Sequence, residues 1–359
     1  MSNTGGYFRM VRPLQGRPLP RPVSVGSTHG YSRYTPVGVM QTALAPHVLG
    51  IQESFSRYNP LGVLRRCFRN VPPLILALAS TLLACRESPQ PVVAHRGIIT
   101  MAPHLTESVF ALGQGSRVIA VGSFDDYPPE AAALLKVGGY VDPNLEKIAI
   151  LAPELIVVPG KDQKVTDFCA MKGIAVLNVN MDSLETIDAG IEQIGQRLGC
   201  EKEAAALRAR IKGELDEVRN AVKGLPRPKV LIITMRQDHN LNSLYTANRR
   251  SFISELVDCA GGDNVFSDAA TTYLEASKET IVVKAPDVII ELHAGENIDF
   301  AEQERYKADW QQLPTLPAVQ AGRIYLIMES YAARPGPRVG EIARIIAQHL
   351  HREALIPTS

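Results

Sequence analysis

Glu146-Lys147-Ile148-Ala149-Ile150-Leu151-Ala152-Pro153-Glu154-Leu155-Ile156 recurs later in the chain as Glu279-Thr280-Ile281-Val282-Val283-Lys284-Ala285-Pro286-Asp287-Val288-Ile289. Both copies place a glutamate seven residues before a proline, then an acid and an apolar run. Proline cannot continue a helix, so each copy predicts a short helix, a sharp stop and a buried strand. Around the first copy lie candidate strands at Ile98–Met101, Val118–Val121, Leu155–Val158 and Ala175–Val179; around the second, Val230–Thr234, Val288–Glu291 and Ile324–Ile327. Short apolar runs alternating with amphipathic stretches are the pattern of a parallel α/β sheet. Between the two groups, Leu207, Ile211, Leu215, Val218 and Val222 fall on one helical face, and Gly224-Leu225-Pro226 ends it. One helix over 201–222 would be roughly 33 Å long. The predicted fold is α/β: two similar lobes with parallel-rich central sheets, 97–200 and 225–352, joined by one long rigid helix over 201–224. Such lobes hold a ligand cleft between them.

The 359 residues carry a formal charge of +1, which averages two unlike parts. Residues 1–84 hold Arg9, Arg12, Arg17, Arg21, Arg33, Arg57, Arg65, Arg66 and Arg69 against Glu53 alone, leaving about −7 on the remainder. A net acidic body argues against nucleic acid as a partner, because phosphate binding needs a basic surface. No apolar run reaches the ~18 residues that suggest a membrane span. A shorter one does exist: basic Leu64-Arg65-Arg66-Cys67-Phe68-Arg69, then apolar Leu74 through Ala84, a leader over 63–84. It ends in Leu82-Leu83-Ala84-Cys85, which resembles the lipobox of bacterial lipoproteins. The resemblance implies a lipid anchor through Cys85, a tether over 85–96, and a place on the periplasmic or extracellular face of a bacterial membrane. Buried acyl chains contribute roughly 0.8 kcal/mol per methylene, enough for anchoring without a spanning helix. Residues 1–62, rich in Pro, Gly, Arg and Ser, show no helix or strand period. They are expected to be disordered, or untranslated if the true start lies near Val63.

Further segments narrow the class: Pro103-His104-Leu105-Thr106-Glu107, Val121 through Ala131 with Asp125-Asp126-Tyr127-Pro128, Asn144-Leu145-Glu146-Lys147-Ile148, Cys259 through Phe266, and Arg334-Pro335-Gly336-Pro337-Arg338. In this order and spacing they resemble the periplasmic substrate-binding proteins of ABC importers for metal chelates, over about residues 97–352, and most closely the cobalamin-binding members. The resemblance implies capture of cobalamin or a related corrinoid and delivery to an ABC permease dimer with its ATPase. A ferric siderophore or haem is the alternative ligand. By the same resemblance, Glu146 and Glu279 match the glutamates that dock on permease arginines. Tyr127, Tyr140 and Tyr273 match aromatics that pack on the ligand, the last two standing where the relative has tryptophan. Arg334 matches a ligand-approaching arginine, and Tyr331 precedes it in the same loop. Arg236, Arg249 and Arg250 are further cations suited to an anionic chelate, whereas Arg338 reads as structural. His104, read as a loop residue, is a candidate axial or cobalt-side contact; His239 and His293 read as solvated.

No spacing of His, Cys and carboxylates supplies the about four ligands of a bare cation, so no metal site or cofactor is expected. Cys169, Cys200 and Cys259 form no CxxC pair. The resemblance would pair Cys259 with a cysteine in the last helix that this chain lacks; Cys169 and Cys200 are left as a bridge or as buried thiols. The rival class is a tetrapyrrole chelatase, with His104 and Glu107 as its metal-insertion pair. Thr106 and Glu107 read more simply as groups favouring a helix start, and there is no Gly-rich phosphate loop and no GxSxG. No catalytic residue is assigned.

Overall fold

The computed structural model describes residues 97–352. The extension over 1–62, the leader over 63–84, Cys85 and the tether over 85–96 lie outside the described residues. The first lobe consists of Ile98–Thr100 (β1), Pro103–Ala111 (α1), Val118–Val121 (β2), Pro129–Ala132 (α2), Leu135–Lys136 (β3), Leu145–Leu151 (α3), Leu155–Pro159 (β4), Gln163–Lys172 (α4), Ala175–Val179 (β5) and Leu184–Leu198 (α5). Its sheet is parallel throughout, in the order β3-β2-β1-β4-β5. Glu201–Ala221 (α6) leads to the second lobe: Lys229–Ile233 (β6), Leu244–Ala247 (β7), Phe252–Cys259 (α7), Asp263–Asn264 (β8), Tyr273–Ala276 (β9), Lys278–Lys284 (α8), Val288–Leu292 (β10), Phe300–Asp309 (α9), Pro317–Gln320 (α10), Ile324–Ile327 (β11) and Val339–Leu350 (α11). Here a parallel sheet ordered β11-β10-β6-β8 is joined by an antiparallel ribbon of β7 and β9.

The connecting helix is built as its apolar stripe requires. Ala204, Leu207, Ile211, Leu215 and Val218 are its buried face, packed against α5 on one side and α11 on the other. As a result a single apolar core runs from Ile98 and Val121 of the first sheet, through α6, to Val230, Ile290 and Ile346 of the second lobe. Arg344 and Glu217 add an ion pair at 3.7 Å between α11 and α6.

The repeat folds as two copies of one device. The Asn144 and Ser277 side chains cap α3 and α8, accepting from the backbone N–H groups of Lys147 and Thr280. Ile148 and Ile281 are fully buried. Both helices end on an alanine in the left-handed region, Ala152 at φ 43° and Ala285 at φ 46°, whose N–H groups bond the carbonyls of Ile148 and Ile281. Beyond the prolines, Glu154 N–H donates to Gly97 O at 3.0 Å and Asp287 N–H to Lys229 O at 2.8 Å. Each bond seats the next strand beside the first strand of its lobe. Left-handed backbone costs an L-residue roughly 1–2 kcal/mol, against about 0.4–1 kcal/mol for the freer unfolded chain of glycine. Ala152→Gly and Ala285→Gly should therefore each raise stability, by about 0.5–1 kcal/mol, in urea unfolding; a loss at both positions would contradict this.

The seven expected strands are present within a residue at each end, and α6 stops one residue short of the expected Val222. Four strands were not foreseen. β3 and β8 are two-residue edges, too short to carry a period, and β7 with β9 forms a partly exposed ribbon.

Candidate functional site

In an open parallel sheet, ligands gather at the carboxyl ends of the strands, where the strand order reverses. The first sheet reverses at β1, flanked by β2 and β4. His104 follows β1, the Asp125-Asp126-Tyr127 turn follows β2, and the loop from Tyr331 to Arg338 follows β11 of the other lobe. Those three segments meet.

Charge ties them. Arg334 grips the Asp126 carboxylate with both ends of its guanidinium, at 2.5 and 3.0 Å, and donates to Glu107 at 3.1 Å. Arg338 grips the same Glu107 at 2.9 and 2.6 Å. Glu107 and Asp126 belong to the first lobe, Arg334 and Arg338 to the second, so four charges lock the seam. Glu107 is not the helix-start group the sequence suggested. Pro103 and His104 occupy the first positions of α1, which carries no acid in its first turn, and Glu107 lies past that turn at 3% exposure.

Aromatic faces complete the seam. The Arg338 guanidinium lies 4.0 Å from the Tyr127 ring centroid and 4.1 Å from that of Tyr331, one tyrosine from each lobe. Tyr331 is turned toward the interior and its hydroxyl is pushed up to about 12, mainly by burial. Tyr127 keeps an exposed side, as does Phe124 in the same turn. Tyr140 is half-buried in the loop after β3, which reaches the Phe124 turn through Ser123 N–H donating to Gly138 O at 3.0 Å. Tyr273 opens β9 on the second lobe, half exposed.

His104 sits in the first turn of α1 rather than in a loop, buried against the second lobe; a Cβ on Gly336 would come within 3.2 Å of its own Cβ. Burial, with the Arg334 charge, holds its pKa down at about 4, so the imidazole is neutral at physiological pH. Beside it, Thr106 bonds the buried Asp125 carboxyl, whose second oxygen accepts no bond and packs against Gly122, where a Cβ would approach to 2.6 Å. Burial raises Asp125 to about 7 despite the Thr106 bond. Phe124, Asp125 and Asp126 were all inside the segment that carried the family resemblance, but only the tyrosine had been singled out. Two adjacent acids in a turn read as solvated until a partner across the seam is known.

Arg236 does not serve the seam. Its buried guanidinium bonds Glu291 at 3.0 Å, Asp309 at 2.9 Å and the carbonyls of Asn240 and Tyr306. Glu291 also accepts from the Trp310 indole and from His293 at 3.0 Å. His293 is therefore not a solvated loop residue: burial would push its pKa down, but bonds to Glu291 and Glu296 outweigh it and hold the value at about 9. His239 remains exposed, 2.6 Å from Glu302, and Arg249 and Arg250 are exposed. Cys169, Cys200 and Cys259 are buried free thiols. A surface groove of about 540 Å³ beside His239, Arg305 and Asp309 contains none of the expected ligand residues.

Residues 98–331, most of both lobes, match the family described as periplasmic binding protein. The chain belongs to that family. This periplasmic binding protein is 27% identical over 264 residues, 73% of its length and 91% of the other, to a vitamin B12-binding protein of Pectobacterium atrosepticum. It is 27% identical over 261 residues, 71% of its length and 79% of the other, to an uncharacterized ABC transporter substrate-binding lipoprotein of Bacillus subtilis. The crystal structure of the periplasmic vitamin B12-binding protein of Vibrio cholerae superposes with a TM-score of 0.61 at 25% identity, covering 72% of this chain and 97% of that one. The periplasmic binding protein is thus a substrate-binding component of the ABC importer class and not a catalyst.

Proposed function

We propose that this protein captures cobalamin or a related corrinoid and hands it to an ABC permease dimer, while anchored to a bacterial membrane through acylated Cys85. The observation that carries the reading is the seam platform. Arg338 fixes Tyr127 from behind while the outer side of the ring stays exposed. Such a preorganised aromatic face suits a large ligand with apolar walls and a polar rim. Relatives named as vitamin B12-binding supply the ligand class, and the Bacillus relative named as a lipoprotein agrees with the Leu82-Leu83-Ala84-Cys85 sequence. Tyr127, Tyr140 and Tyr273 are the proposed ligand faces, with Tyr331, Arg334 and His104 supporting them from the seam. Glu146 and Glu279, both exposed and neither ion-paired among the described residues, are the proposed permease contacts.

Titrating the purified chain with cyanocobalamin, haemin and a ferric siderophore in a calorimeter tests the ligand. Sub-micromolar cyanocobalamin binding, weakened ~10-fold in Tyr127→Ala by loss of one stacking face, is expected. Tight haemin binding with a Soret shift lost in His104→Ala would transfer the assignment to haem.

A further inference from the structure

The two copies of the repeat share one feature that the fold does not need. Four residues after each glutamate stands a β-branched aliphatic, Ile150 at 75% exposure and Val283 at 84%. The inward face of each helix is already supplied by Ile148 and Ile281, the only buried residues of α3 and α8. On a short exposed helix, isoleucine and valine are poorer helix formers than alanine or lysine and leave apolar area in water. Neighbouring positions differ between the copies: exposed Lys147 against exposed Thr280, and half-buried Ala149 against exposed Val282. The acid, the buried isoleucine, the exposed aliphatic, the left-handed alanine and the proline are held in both.

Residues four apart lie on one helical face, about 6 Å apart along the axis. Each lobe therefore displays the same pair, a carboxylate with an aliphatic knob one turn on. We infer that Glu146 with Ile150, and Glu279 with Val283, form two equivalent halves of a docking surface for a two-fold symmetric membrane permease, which presents a cation beside a shallow apolar socket twice. This deepens the docking reading above and rests on it. The carboxylates select and orient through charge, an effect weakened by salt. The aliphatic knobs lose their water on docking and hold the complex once formed. A partner lacking two-fold symmetry would satisfy only one of the two halves.

The test measures binding of the full mature chain to its permease and ATPase complex in lipid nanodiscs, for wild type, Ile150→Ser/Val283→Ser, Ile150→Leu/Val283→Leu and Glu146→Ala/Glu279→Ala. The serine pair should bind at least 10-fold more weakly, chiefly through faster dissociation, and the leucine pair near wild type, with cyanocobalamin affinity and thermal midpoint unchanged in both. Unchanged docking of the serine pair alongside lost docking of the alanine pair overturns the aliphatic contact and leaves the docking reading intact. Unchanged docking of both pairs overturns the reading itself. Sedimentation showing a wild-type dimer that the serine pair dissolves assigns the surface to a second copy of this chain and also overturns the inference.

Discussion

Glu107→Ala should lower stability by about 3–5 kcal/mol, the usual cost of stranding buried charge by removing one partner. The carboxylate is 3% exposed and is shared by Arg334 and Arg338 of the opposite lobe. Without it Arg338 retains the faces of Tyr127 and Tyr331, and Arg334 retains Asp126, which is half exposed. Urea unfolding gives the stability, and the same preparation titrated with cyanocobalamin gives the second readout. Affinity should fall as well, because the cation that fixes Tyr127 loses its own support. Replacing Glu107, Arg334 and Arg338 together by Met, Met and Leu should recover most of the stability, since apolar groups of similar volume leave no charge buried. Recovery of stability without recovery of affinity is the expected pattern. A loss below about 1 kcal/mol in Glu107→Ala would mean that the seam charges are solvated and do not lock the lobes.

Glu291→Ala should cost a similar 3–5 kcal/mol, for the same reason in a different place. Its carboxylate, 1% exposed, accepts from Arg236, His293 and Trp310 at once. This cluster also predicts a pH dependence. The His293 pKa is raised from 6.5 to about 9 in the fold, so between those values the native state holds a proton that the unfolded chain releases. Its contribution, roughly 3 kcal/mol at 1.36 kcal/mol per unit, is complete below about pH 6.5 and lost as pH rises through about 9. Asp125, raised to about 7, falls in the same sense over a lower window, its contribution lost between about pH 4 and 7. Stability measured from pH 6 to 10 should decline, and His293→Gln should flatten the upper part of the decline. A profile that stays level between pH 6.5 and 9 in the wild type would refute the paired, protonated imidazole.

Much of the fold was legible because the residues that set it act locally. Pro153 and Pro286 stop short helices, and the stripe from Leu207 to Val218 needs a partner on each side. The site was legible only in part. Tyr127 and Tyr331 could be nominated singly, but their common guanidinium could not, since Arg338 stands far from Tyr127 in the chain and reads as a helix-start residue. Glu107, Asp126, Glu291 and His293 look like ordinary surface groups in one dimension. Glu107 and Glu291 are buried beside cations brought in by other segments, Asp126 is half exposed yet held by Arg334 across the seam, and His293 is buried against the Glu291 and Glu296 carboxylates. Such pairing is a property of the assembled fold.

The core that runs unbroken through α6 bears on how the proposed cargo leaves. Lobes that share one interior resist swinging apart as separate bodies, so on the proposed reading the cleft should keep its shape on loading, and binding should lose little affinity to a sparsely populated closed form. The converse is that the shared interior would supply no opening motion for unloading. On the proposed reading, the importer must supply that step from outside, by levering on the two lobe tips against a single stiff interior or by presenting the cargo with a competing surface.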